Sequence, residues 1–180
     1  MDKRPLWAII PAKGNSRRYP GKNAKLAPYV IRAAIEANCF DNVIVSSDDG
    51  EILFQALSLG ADIYNRKPLL CDDGVTAAMV VMDVMCNLDF PCNSFAVLWP
   101  TNPLITPKTL NLITHTFLDA DVEHAYADRT AIFMTTRRFL RILKFDGDGM
   151  SLLVPRVEKI DVNEPQDLAE AEAILASRNR

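Results

Sequence analysis

The side chains best able to do chemistry in this chain are concentrated between Pro11 and Asn23, in Pro-Ala-Lys-Gly-Asn-Ser-Arg-Arg-Tyr-Pro-Gly-Lys-Asn. Lys13, Arg17, Arg18 and Lys22 put four positive charges within the ten positions 13 to 22. Asn15 and Ser16 add amide and hydroxyl donors, and Gly14 lets the backbone approach a ligand closely. Cations and donors gathered this way suit the oxygens of a nucleoside triphosphate. Taken alone the stretch also reads as a solvated basic loop, because it has neither the G-x-x-x-x-G-K-[ST] nor the G-x-G-x-x-G spacing. Asp48 and Asp49 end an apolar run and read as caps, and Asp161, shortly before Pro165, reads as a residue that opens a helix. Cys39, Cys71, Cys86 and Cys92 contain no C-x-x-C pair, and His115 and His124 have no acidic residue at zinc-site spacing. They are expected to be reduced structural thiols and non-ligand histidines.

The elements that position these groups follow from periodicity. Short branched apolar runs alternate with longer amphipathic stretches, the pattern of βα units and a mostly parallel sheet. Strands are predicted at Trp7–Pro11, Val43–Ser47, Ala61–Tyr64, Phe95–Trp99 and Ala131–Thr135, with Leu152–Val154 closing the sheet. Helices are predicted over 29–38, 49–59, 75–88 with Asp72 or Asp73 as its cap, 106–118 and 164–174. The basic loop then falls at the carboxyl end of the first strand, where open α/β sheets bind ligands. With 180 residues, 49% apolar and 24% charged, the chain reads as a single domain over 1–180. Its net charge of −3 offers no broad field for a polyanion, so no nucleic-acid partner is expected. Leu6–Ile10 is too short for a membrane span or a signal-peptide core, so a cytoplasmic protein without membrane contact is expected.

Ile9-Ile-Pro-Ala-Lys-Gly-Asn-Ser-Arg-Arg-Tyr-Pro-Gly-Lys-Asn23 resembles the nucleotide-binding signature of the acylneuraminate cytidylyltransferases, which make CMP-sialic acids and related CMP-nonulosonates. Four further blocks agree in order: Val43–Ile52, Gly60–Asp73, Val97–Leu104 and Lys159–Leu168. Ala131–Phe139 also resembles the family's strand after its sugar-binding segment. The resemblance implies a Rossmann-like three-layer α/β sandwich with a mostly parallel sheet, of the nucleotide-diphospho-sugar transferase type. It implies that the anomeric hydroxyl of a sugar acid attacks the α-phosphorus of CTP and pyrophosphate leaves. Lys13, where the family usually has arginine, would hold phosphates and ribose with Gly14, Asn15, Ser16, Arg17, Lys22 and Asn23. Arg66 and Thr76 match a second nucleotide-contacting segment near the base, although Arg66 also reads as a surface cation and Thr76 as packing in its helix. Asp161 matches the family's Mg²⁺-binding aspartate, and Asn163 stands where some members have a second one. Lys13, Lys22 and Asp161 are thereby the catalytic candidates, with CTP and a sugar acid as substrates and a homodimer as the assembly.

Two departures bear on the acceptor side. Trp99 stands where the family's Q-P-T-S-P-L segment has glutamine, and an indole supplies one donor in place of an amide's oxygen and two protons. The stretch from Leu104 to Ala131 has room for little more than one helix, whereas the family's longer insert there supplies much of the sugar-acid pocket and a dimer arm. Asp119–Asp128 is the expected junction of that shortening. A related nucleotidyltransferase acting on an eight-carbon acid such as 3-deoxy-octulosonate, or a non-catalytic nucleotide-binding homologue that lost the acceptor site, are the alternative readings.

Overall fold

The computed structural model describes residues 5–14, 16, 19–128 and 130–178. Seven strands form one sheet in the order β3-β2-β1-β4-β6-β5-β7. Four of them, β1 (Leu6–Pro11), β2 (Asn42–Ser47), β3 (Asp62–Asn65) and β4 (Ser94–Leu98), are mutually parallel where they pair. Ile9 at the centre lies between Ile44 and Val97. β6 (Ala131–Thr135) runs antiparallel to β4 and β5 (His124–Ala127) antiparallel to β6, while β7 (Met150–Ser151) adds a short parallel edge.

Alternation along the buried strands feeds two apolar layers. Ala8, Ile10, Val43, Val45, Ala96 and Phe133 face α1 (Lys22–Ala37), α2 (Gly50–Ser58) and α4 (Pro107–Asp119). Ile9, Ile44, Phe95, Val97 and Met134 face α3 (Ala77–Asn87) and α5 (Thr136–Ile142). The three-layer α/β sandwich is therefore the observed architecture. α6 (Pro165–Arg178) packs Leu168 and Ala171 with Leu26 and Val162 in a third, smaller cluster. No helix among the described residues is long and apolar enough to cross a membrane.

Several elements differ from expectation. α1 begins at Lys22, seven residues before the predicted start, and carries Pro28 inside it. The proline removes one ladder donor, but Leu26, Ala27, Val30 and Ile31 are buried beneath it, and that packing outweighs the lost bond. α3 is capped by Thr76, whose hydroxyl accepts from the Met79 amide, and not by Asp72 or Asp73. The closing strand is Met150–Ser151 in place of 152–154, and Leu152 only extends the pairing through its amide to Tyr126. The expected junction at Asp119–Asp128 folds into the end of α4, a turn with Asp121 at φ 50°, and β5. None of the cysteines forms a disulfide.

Candidate functional site

Because β1 to β4 are parallel, the loops that follow them share one edge of the sheet. The first loop leaves β1 at Pro11 and reaches α1 through Gly21, whose φ of 73° is a left-handed conformation that glycine adopts without strain. The loop is pinned to the next strand, since the Gly14 amide donates to Asp48 Oδ1 at 2.8 Å. Gly14 also lies so close to α2 that a Cβ there would sit 2.7 Å from the Asp49 Cβ. The close approach that glycine permits is thus to Asp49, which caps α2 by accepting from the amides of Glu51 and Ile52.

Asp48 is held ionised by its neighbours. Burial pulls its carboxyl upward, but the amides of Gly14 and Asp48 itself, the Cys71 thiol and the Arg66 guanidinium outweigh that and hold it below the usual carboxylate range. Arg66 is 5% exposed, so it is not a surface cation. Its Nη2 donates to the Ser46 carbonyl at 2.6 Å and its Nε to Ser46 Oγ at 3.3 Å, which ties the loop after β3 to the end of β2. Burial lowers its affinity for the proton, opposed by Cys71 and Asp48, yet a guanidinium remains charged. Thr76, exposed, commits its hydroxyl to the α3 cap and does not pack in the helix.

Lys13 and Asn23 join the first loop to its surroundings. Lys13 Nζ lies 3.3 Å from Asp73 Oδ1 in the loop before α3, and Asn23 Nδ2 donates to the Lys13 carbonyl at 2.7 Å. Asn23 is 7% exposed and its Oδ1 is buried without a partner among the described residues, an acceptor left open. Ser16 is half-buried, and Asn15, Arg17 and Arg18 lie outside the described residues. Among the described residues no side chain caps the start of α1, so the positive end of its dipole, at Lys22 and Asn23, is not offset by a capping hydroxyl or carboxylate.

Lys22 brings the carboxy-terminal segment to this edge. It is buried, and its Nζ donates to the Val162 carbonyl at 2.7 Å across 140 positions of sequence. Beside Val162, Asp161 Oδ2 accepts from Asn163 Nδ2 at 3.0 Å, and Asp161 Oδ1 carries no hydrogen bond among the described residues. Asp161 does not open the helix. That part falls to Asp167, which accepts from the amides of Asn163 and Glu164 at 2.8 and 2.9 Å and is held below the carboxylate range by them, with Lys22 adding to the effect. The segment is also fixed to the loop after β4 through Thr101 and Asn102. Trp99 heads that loop and packs with the second apolar cluster.

Lys13, Gly14, Lys22 and Asn23 thus share the first loop and the start of α1, and contacts join them to Asp48, Asp73 and the Asp161–Asn163 segment. Arg66 belongs to the same edge through Ser46 and Asp48, whereas no described contact joins Thr76 to the group. Asp73 and Asn102 escaped the sequence reading, since the first looked like a helix cap and the second lies in a segment judged on Trp99. Ammonium groups, a helix amino terminus and one available carboxylate oxygen together can hold a polyphosphate and its counter-cation.

Residues 7–146 match the family model for cytidylyltransferase. The chain is 33% identical over 122 residues to N-acylneuraminate cytidylyltransferase A of Danio rerio, a match covering 59% of this chain and 26% of that protein. It is 31% identical over 115 residues to CMP-N,N'-diacetyllegionaminic acid synthase of Legionella pneumophila, covering 58% of this chain and 50% of the relative. The chain therefore spans between about a quarter and half the length of these relatives. In fold it is similar to CMP:2-keto-3-deoxy-manno-octonic acid synthetase complexed with CTP, with a TM-score of 0.71 and 14% identity, over 97% of this chain and 99% of that one. At that identity the likeness speaks for the fold alone.

Proposed function

Because the chain belongs to the cytidylyltransferase family, we propose that it transfers CMP from CTP to a sialic-acid-like nonulosonate, releasing pyrophosphate. The observation that carries the reading is the 2.7 Å contact of Lys22 Nζ with the Val162 carbonyl, which sets the cationic start of α1 against the backbone beside Asp161. In this reading Lys13, Lys22 and the amide end of α1 take the triphosphate and stabilise its oxygens as charge develops, the main source of catalysis in phosphoryl-type transfer. Ser16 and the open Asn23 Oδ1 complete the phosphate and ribose contacts. Gly14 keeps the loop against Asp49, and Arg66 acts on the loops through Ser46 and Asp48.

The donor set fits Mg²⁺, which commonly takes one or two carboxylates and completes its shell with substrate phosphates and water. Asp161 would hold it through the oxygen left open, and Asn163, which donates to the other oxygen, orients that carboxylate. When bound, the cation neutralises charge on the triphosphate and polarises the reacting phosphoryl group. A nonulosonate is favoured over an eight-carbon acid because the relatives at 31–33% identity are named for nonulosonates, whereas the octonic-acid enzyme is alike at 14%.

The test is pyrophosphate release, expected only when CTP, Mg²⁺ and a nine-carbon sugar acid are all present. Asp161→Ala is expected to reduce it by at least about 100-fold. No turnover with any such acid in the folded full chain overturns the reading, and CTP binding without turnover would assign the chain to nucleotide binding alone.

A further inference from the structure

Resting on the cytidylyltransferase reading, we propose that Asn102 is a positioning residue that sets Asp161 for the cation-bound triphosphate. Asn102 follows β4, is 1% exposed, and donates through Nδ2 to the carbonyl of Ile160 at 3.1 Å. Its neighbour Thr101 accepts from the amide of Val162 at 2.8 Å. Asp161 is thus held on both sides, at Ile160 and at Val162, by two consecutive residues of one loop. Lys22 grips the next peptide unit, donating to the Val162 carbonyl oxygen. With the backbone fixed before and after it, the Asp161 carboxylate has only side-chain rotation left, and Asn163 restrains that.

The state of the Asn102 side chain argues that its paired end is what matters. Its Oδ1 is buried with no donor among the described residues, which is unfavourable. Packing alone would be served better by an apolar side chain of similar size, so the bond from Nδ2 to Ile160 is what the carboxamide adds. Residues that orient a metal ligand from behind carry about 10–100-fold of a site's metal affinity.

The experiment uses the full chain and Mn²⁺ as the probe, with unbound Mn²⁺ read by electron paramagnetic resonance in the presence of CTP. Asn102→Leu removes both the donor and the unpaired oxygen, so its melting temperature is expected to match or exceed the parent's. Its CTP affinity in EDTA is expected to be unchanged, while Mn²⁺ binds about 10-fold or more weakly. Asn102→Ala serves the same purpose if leucine prevents folding. Unchanged Mn²⁺ affinity in either folded variant overturns the positioning role and leaves the cytidylyltransferase reading standing. Loss of metal-free CTP binding in step with Mn²⁺ binding also overturns it, in favour of a general structural role. A parent chain that binds neither CTP nor Mn²⁺ overturns both.

Discussion

The two halves of the sheet use their polar groups in opposite ways. Along β3-β2-β1-β4 the loops end on one edge, and their side chains reach into each other's loops: Gly14 to Asp48, Lys13 to Asp73, Arg66 to Ser46, Lys22 to Val162. Across β6-β5-β7 the antiparallel partners send successive connections to opposite ends, and the polar contacts described there, such as Arg141 with Glu123 and Tyr126 with the Gly147 carbonyl, are exposed and join residues close in sequence. That half is closed by aromatic packing, with Phe139 edge-on to Phe95 at 5.2 Å and stacked on Phe145 at 5.4 Å, and its most buried titratable ring, His124, has no hydrogen-bond partner among the described residues. Parallel order gathers chemistry at one edge, and antiparallel order here supplies stability.

The sharpest way to break this contrast is to damage one half and read the other. Phe139 is fully buried and is the one buried residue of α5. Phe139→Ala is expected to cost about 3–5 kcal/mol of stability, through lost transfer energy and the cavity left behind. The measurement is denaturant unfolding, alongside CTP affinity at low temperature in the folded fraction. An affinity that falls with stability would show that the two halves are not separable.

Lys22→Ala acts on the other half. Removing one preorganised cation from a site of developing charge is expected to lower kcat by about 10²–10³-fold, roughly 3–4 kcal/mol. Steady-state pyrophosphate release checks this, with a melting curve to separate the loss of the Val162 contact from the loss of charge. A kcat within the parent's range would remove Lys22 from the machinery and leave it as a tie between α1 and the carboxy-terminal segment.

The parallel half was also the more legible in sequence. β1, β2 and β4 lie within about a residue of their predicted bounds because central parallel strands are buried on both faces and read as unbroken branched runs. β5, His-Ala-Tyr-Ala, has no such run and went unseen, and α5 is too short for its period to show. The start of α1 was misjudged at Pro28, a local rule overridden by packing, and with it the fact that Lys22 and Asn23 lie on a helix and not in a loop. The resemblance to the cytidylyltransferase signature picked out Lys13, Lys22, Asn23 and Asp161, where residue spacing alone read a solvated basic loop and a helix-opening aspartate. The contacts that join them across 60 or 140 positions are tertiary, and no local pattern encodes them.

Thr76 offers a smaller test within the functional edge. As the α3 cap it accepts from the Met79 amide at 3.3 Å, and Thr76→Ala is expected to cost about 1 kcal/mol, with CTP affinity unchanged. Calorimetric titration beside thermal unfolding measures both. A weakened affinity at unchanged stability would restore Thr76 to the nucleotide site.

The smallest expected effect belongs to His124 and comes with a direction. The ring is 2% exposed, packs on Tyr126 at a centroid distance of 4.2 Å, and has neither nitrogen paired among the described residues. Burial lowers its proton affinity first and the Arg138 guanidinium second, against a weaker pull from Asp146, so its folded pKa lies below the ordinary 6.5. Above 6.5 both folded and unfolded chains hold it neutral and the stability is fully present. As pH falls below 6.5 the unfolded chain takes up a proton that the folded chain refuses, and stability is lost progressively toward the folded pKa. The depressed carboxylates Asp48, Asp83 and Asp167 act in a lower window, since their contribution is present above the unfolded value of 3.8 and lost only as pH falls through it. Melting temperatures between pH 7.5 and 5.5 therefore isolate the histidine. The parent's melting temperature should fall across that range, and His124→Phe, which keeps a buried ring and cannot titrate, should flatten the fall. An equal fall in both would place the titrating group elsewhere and leave the antiparallel half without a pH-sensitive element.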